Sequence, residues 1–185
     1  MMKRVLLHSC CAPCSAAILE WLLENGYQTT IFFYNPNIYP EEEYLKRKNE
    51  ILSYANQLGV PIVDMDTLSW GEQHCQWLSV AEPLAAEPER GGRCQECFKY
   101  RLAATARYGA ENGFDLFTTT LASSRWKSLE QINLAGRYAQ ELVDSKIEFW
   151  ERNWRKGGLY ERRNILAKQF YNQQYCGCEF SMRKE

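Results

Sequence analysis

Short apolar runs alternate with longer amphipathic stretches along this chain, and each change of period marks an element. Val5-Leu6-Leu7 is an apolar run of strand length. Residues 15–25 (SAAILEWLLEN) carry apolar side chains at helical spacing, with Ser15 as the expected cap and Gly26 as terminator. A second strand is expected over 29–34 (TTIFFY), closed by Asn35-Pro36-Asn37 and Pro40. Residues 41–58 read as a charged amphipathic helix ended by Gly59, and 60–63 as a third strand. Residues 65–93 show little pattern and are expected to form a loop that carries Trp70, His74 and Trp77. A helix then begins near Cys94 and runs to Asn112, followed by a strand at 116–120, a helix at 128–142, a strand at 147–150 and a helix at 159–170.

Strands that alternate with helices predict an α/β fold, a parallel sheet with helices on both faces. Without internal repeat, linker or low-complexity tract, one Rossmann-like domain is expected over 1–185. Right-handed crossovers put the C-terminal ends of the strands on one edge, where open α/β sheets hold their ligands. Three polar segments fall at that edge: the one after Leu7, Asn35-Pro36-Asn37, and residues 118–124 (TTTLASS).

At 185 residues and 21.7 kDa the chain is long enough to bury a core without disulfide staples. Its start is too short and too soon polar for a signal peptide, and no apolar run approaches membrane length. A cytoplasmic protein is therefore expected, with no membrane partner. In that compartment thiols stay reduced, and clustered cysteines mean metal or redox chemistry. The net charge of −1 argues against unselective coating of nucleic acid but leaves room for a local basic patch.

Charge matters less here than sulfur. Of 8 cysteines, all but Cys75 fall into three tight clusters: Cys10-Cys11-Ala12-Pro13-Cys14, Cys94-Gln95-Glu96-Cys97 and Cys176-Gly177-Cys178. That is too many for one tetrahedral site, which points to a four-thiolate centre plus a second site. Cys94 and Cys97 have the spacing at which two thiolates at a helix start grip one metal or cluster. Consecutive side chains such as Cys10 and Cys11 leave an extended backbone on opposite faces, and Gly177 permits a sharp turn between Cys176 and Cys178. A consistent assignment gives Cys94, Cys97, one of Cys10/Cys11 and one of Cys176/Cys178 to a four-iron cluster, and the remaining two with Cys14 to a further metal. Two other readings stay open: a zinc-stabilised binding module without catalysis, and a thiol–disulfide oxidoreductase using Cys11 and Cys14.

The chain resembles the QueH family of epoxyqueuosine reductases. The likeness lies in residues 7–14 (LHSCCAPC), 32–40 (FFYNPNIYP) with Glu43-Tyr44 and Arg47-Lys48, 93–102 (RCQECFKYRL), Thr118-Thr119-Thr120-Leu121 with Ser123 and Lys127, 155–158 (RKGG), and 175–181 (YCGCEFS). These stretches span nearly the whole chain in order. The resemblance implies a fold related to the nucleotide α-hydrolases, a [4Fe–4S] cluster and an adjacent mononuclear iron. It further implies deoxygenation of epoxyqueuosine to queuosine at the tRNA wobble position, the last step of queuosine synthesis, with electrons from a donor still to be identified. Some family members carry an aspartate where this chain has Cys14.

Opening and removing an epoxide oxygen needs two electrons and two protons. Tyr34, His8 and Glu43 are the candidate proton donors at the sheet edge. Asn35 and Asn37 either read the modified base or form an Asx-type turn. Residues 152–168 hold Arg152, Arg155, Lys156, Arg162, Arg163 and Lys168 against one acid, Glu161, with Trp150, Trp154 and Tyr160 interleaved. With an RNA substrate implied, Arg152, Trp154, Arg155, Lys156, Arg162 and Arg163 are the expected RNA-binding residues. Nucleotide hydrolysis is not implied, since neither a GxxxxGK[ST] loop nor an SGGxDS loop is present.

Overall fold

The computed structural model describes residues 2–65, 67–144 and 146–182. Within them, one all-parallel sheet is built from β1 (Arg4–His8), β2 (Gln28–Phe32), β3 (Ile62–Val63), β4 (Leu116–Thr119) and β5 (Glu148–Phe149). Its order is β3-β2-β1-β4-β5. The α/β architecture expected from the alternating periods is thus present, in Rossmann-like order. Central β1 has Val5, Leu6 and Leu7 all at 0% exposure, so both of its faces are covered and its apolar run does not alternate. In register, Leu7 stands beside Ile31 on one side and Thr118 on the other. The chain adds strands outward from β1 in one direction, then returns to add β4 and β5 in the other. Strand order therefore reverses between β1 and β4, and a crevice opens where their connections diverge.

The helices are α1 (Ala12–Glu24), α2 (Glu41–Leu58), α3 (Trp70–Ala81), α4 (Gly92–Glu111), α5 (Leu129–Glu141) and α6 (Leu159–Leu166). α2 matches its sequence range, and Gly59 closes it in a left-handed conformation, φ 67°. α1 starts earlier than expected, directly after Cys11. Pro13 fits its first turn, where no intrahelical N–H bond is lost. Ser15 is not the cap: it lies inside the helix, and its hydroxyl donates to the Cys11 carbonyl at 2.7 Å. The larger correction is at 65–93. The expected loop contains α3, with Ser69 and Glu72 closing a capping box. Trp70, His74, Trp77 and Ala81 follow at helical spacing and turn inward, so the signal was present in the sequence. α6 stops at Leu166 and is followed by a 3-10 turn over Ala167–Gln169.

α5 seats closely on β5 because residue 136 is glycine. A Cβ there would collide with the Phe149 ring.

Candidate metal centre

A cavity of about 1010 Å³ opens at the C-terminal edge of the sheet, lined by residues that follow β1, β2 and β4. Cys10, Cys14, Cys94 and Cys176 all line it. Folding thus brings members of all three sequence clusters to one place.

Cys10, Cys11 and Cys14 form a tight group, their sulfurs all within 4.8 Å of one another and those of Cys10 and Cys11 3.6 Å apart. Cys11 caps α1 in extended conformation (φ −179°, ψ 162°), and Cys14 lies in the first turn. The 3-10 turn that follows β4 (Thr120–Ser123) holds the group from the side: the Cys10 N–H donates to Thr120 Oγ1 at 3.1 Å, and that hydroxyl lies 3.3 Å from Cys10 Sγ. Negative charge in the trio concentrates on Cys14. Hydrogen bonds from Cys10 and Cys11 hold its pKa well below the thiol range against the opposing effect of burial, and Arg163 and Lys127 help. Burial pushes the Cys11 thiol well up.

Of the other four clustered thiols, Cys94 and Cys176 line the cavity, while Cys97 and Cys178 pack with Trp77 and Ala81. Cys94 and Cys97 are on the first turns of α4, and Cys176 and Cys178 flank Gly177 at φ 134°. Burial raises the pKa of Cys94, Cys97 and Cys178, and Cys176 lies close enough to add its own charge to all three. The C-terminal strap that carries Cys176 and Cys178 is pinned from two directions. Arg47 donates to the Cys176 carbonyl at 3.1 Å and the Tyr175 carbonyl at 3.3 Å. From α3, His74 reaches the Pro36 carbonyl through Nδ1 (2.8 Å) and the Glu179 carboxylate through Nε2 (3.1 Å), while Trp77 packs with Cys97 and Cys178.

Lys127 is a site residue that reasoning on motifs passed over as a mere point of resemblance. Burial alone would push its ammonium towards neutrality, but Cys176, Cys10 and Cys14 outweigh this and hold it protonated, with a raised pKa. It lines the cavity, and Arg155 donates to its carbonyl at 2.9 Å. Several lining groups also keep a buried polar atom without a protein partner: Asn37 Oδ1, Gln131 Oε1, Gln173 Nε2, Arg101 Nε and Arg163 Nε. Such atoms are costly unless something fills the cavity and pairs with them.

None of the three expected proton donors lines this cavity. His8 is fully buried, and burial, aided by Arg101, depresses its pKa and keeps it neutral. Its Nε2 faces the Tyr34 carbonyl at 3.3 Å and so carries the proton, which leaves Nδ1 to accept from Thr119 Oγ1 at 2.8 Å. Tyr34 is half-buried beside Tyr100, and burial pushes its pKa up. Glu43 accepts from Arg47 Nε at 2.7 Å and from the Tyr171 hydroxyl at 3.0 Å. Asn35 is fully committed, donating to the Ser9 carbonyl at 2.8 Å and accepting from Arg101, whereas Asn37 keeps its free acceptor.

The basic run at 152–168 does not form one face. Arg152 stacks over Trp21 at 3.8 Å and Trp154 at 4.6 Å. Trp154 is 1% exposed and donates to Thr118 Oγ1 at 3.2 Å, so its ring has no surface free for a base. Arg162 pairs with Glu20 at 2.8 Å on the outside, Arg163 turns inward to Cys14, and Lys156 is exposed.

The donor set fits metal ions. At a metal–sulfur distance of about 2.3 Å, two thiolates on one tetrahedral ion stand roughly 3.8 Å apart, so with the sulfurs of Cys10, Cys11 and Cys14 within 4.8 Å of one another, Cys14 can share an ion with either neighbour while the other serves an adjacent centre. Buried thiols whose deprotonation is opposed by low dielectric gain most from a cation among them. The family model described as "Epoxyqueuosine reductase QueH" matches residues 5–184. Proteins named Epoxyqueuosine reductase QueH from Histophilus somni and Haemophilus influenzae are 46% and 45% identical over 183 residues, 98% of this chain and 73% and 72% of theirs. The one from Acinetobacter baylyi is 45% identical over 185 residues, 97% of this chain and 81% of its own. With a thiol-lined cavity at the switch point of a Rossmann-like sheet and this likeness over its whole length, the chain belongs to the QueH family of epoxyqueuosine reductases.

Proposed function

We propose that this chain is a cytoplasmic enzyme that reduces epoxyqueuosine to queuosine at the wobble position of tRNA, using a [4Fe–4S] cluster and one adjacent iron. The observation that carries the reading is the convergence of cysteines from three distant segments on one cavity. Cys94 and Cys97, with one thiol from each of the pairs Cys10/Cys11 and Cys176/Cys178, hold the cluster; Cys14 and the remaining two hold the iron. When bound, these groups supply electrons singly and a Lewis acid for oxygen.

The chain's own residues bind, orient and protonate. Asn37, Gln131 and Gln173 offer unpaired amide atoms to a heterocycle that enters the cavity, and Arg101 and Arg163 offer unpaired N–H groups. Lys127 keeps an ammonium at the cavity wall beside Cys10, Cys14 and Cys176. We assign to it, rather than to Tyr34, His8 or Glu43, the proton that the released oxygen requires, because a good donor must reach the reacting atom. Electrons come from a separate donor.

Anaerobic reconstitution with iron and sulfide, followed by reaction of tRNA carrying epoxyqueuosine with a chemical reductant, tests the proposal. Brown protein with about four sulfides and more than about four irons per chain, and loss of the epoxide from the tRNA, are expected. Colourless zinc protein, or coloured protein that leaves the epoxide intact, would overturn it.

A further inference from the structure

Among the described residues, the most exposed aromatic side chain of the cavity lining is an indole at its mouth. Trp126 is 72% exposed and belongs to the cavity lining, whereas Trp77 and Trp154 are buried. It sits in the connection between the 3-10 turn after β4 and the start of α5. The loop that carries it is held in place. Arg90 donates from Nε to the Trp126 carbonyl at 2.8 Å and from Nη2 to the Arg125 carbonyl at 3.1 Å. The Trp126 N–H donates to Ser124 Oγ at 3.3 Å. Arg90 adopts φ 68°, unfavourable for a residue with a side chain, and Gln131 donates to its carbonyl at 2.7 Å. The molecule thus spends backbone strain and four hydrogen bonds on presenting an indole to water.

The surroundings select the chemistry of a ligand. The Arg125 guanidinium lies over the Trp126 ring at 5.1 Å. Among the described residues, Arg47, Arg90, Arg101, Lys127, Arg163 and Lys168 line the cavity against Glu89 as the single carboxylate. A flat apolar face, a cation on it and a cationic cleft behind suit a base with its phosphates. Unstacked bases are found in single-stranded loops, not in duplex arms, where their faces are already covered.

We propose that Trp126 is the stacking platform for the nucleobase next to the nucleotide that enters the cavity, with Arg125 beside the ring and the adjoining phosphate. This rests on the RNA substrate proposed above and names the residue at the mouth of the cavity that positions it. The interleaved aromatics of the 152–168 run were expected to take this part, but Trp154 is buried.

Full-length, metal-loaded protein and a short anticodon stem-loop RNA provide the test. Adding the hairpin should quench the exposed indole in the wild type. That quench should disappear in Trp126→Phe, which keeps a ring and most of the affinity. Trp126→Ala should bind about 5- to 150-fold more weakly, the range for one lost base stack. Its affinity should fall with salt as steeply as the wild type's, since no phosphate contact is removed, whereas Arg125→Ala should flatten that slope. A blunt duplex of equal length should not distinguish wild type from Trp126→Ala. Should Trp126→Ala bind the hairpin as the wild type does, the platform is wrong and the RNA reading stands. Should the wild type itself bind no hairpin, both fall together.

Discussion

The Arg163 guanidinium lies 3.7 Å from the Cys14 sulfur, so the C-terminal helix α6 reaches the first turn of α1 at the metal site. Its neighbour Arg162 points the other way, to Glu20 on the outside of α1. Consecutive helical residues project about 100° apart, and that rotation alone divides two adjacent arginines between a buried thiolate and the surface.

Arg163→Gln should therefore lower iron content and turnover, because the cationic partner of Cys14 is lost. Arg162→Gln should leave both near wild type, an exposed ion pair being worth roughly 0–1 kcal/mol. Parallel iron analysis and epoxide turnover of the two variants check this. Equal loss in both would mean that α6 as a whole, not the Arg163–Cys14 contact, is what matters.

For Cys14 itself, alanine should abolish turnover while the absorbance of the four-iron cluster persists, since the two centres draw on different thiolates. Cys14→Asp should retain part of the activity, because a carboxylate also ligates iron. Were Cys14 a redox partner of Cys11, both variants would be equally inactive. A Cys14→Ala protein with full turnover, or one that loses the cluster, would remove it from the iron site.

Glu43 separates a structural from a catalytic role. It holds Arg47, and Arg47 holds the carbonyls of Tyr175 and Cys176. Breaking a buried ion pair from one side costs about 3–5 kcal/mol. Glu43→Ala should thus lower the thermal midpoint by roughly 6–20 °C, at about 2–4 °C per kcal/mol for a domain of this size, and reduce metal content with it. A proton donor would show the reverse: activity lost at an unchanged midpoint.

Trp77 probes the strap from the other side. It is fully buried with Cys97 and Cys178, and its ring lies 5.6 Å from that of His74. Removing it should cost about 3–5 kcal/mol and release the Cys176–Cys178 strap, seen as faster cluster loss to a chelator. Denaturant unfolding of the apoprotein together with chelator kinetics of the loaded protein would check both. Unchanged chelation with lowered stability would show that α3 supports the fold but not the metals.

By itself the sequence determined the alternation of elements, the extent of α2 and the grouping of the cysteines. Those are local properties: period, capping residues and spacing are written within a few residues of each other. The helix α3 was equally local, with Ser69 and Glu72 as its box, yet polar residues between its inward positions hid the pattern. Only the tertiary structure decided what each polar group meets. Lys127 lines the cavity within the electrostatic reach of three thiols from two other segments, and Trp154 is buried because Trp21 and Trp150 pack around it. Arg162 and Arg163, alike in every local respect, part company for the same reason. The environment of a charge or a ring is set by chain segments far away in sequence, and burial decides between solvated face, packed core and reactive centre.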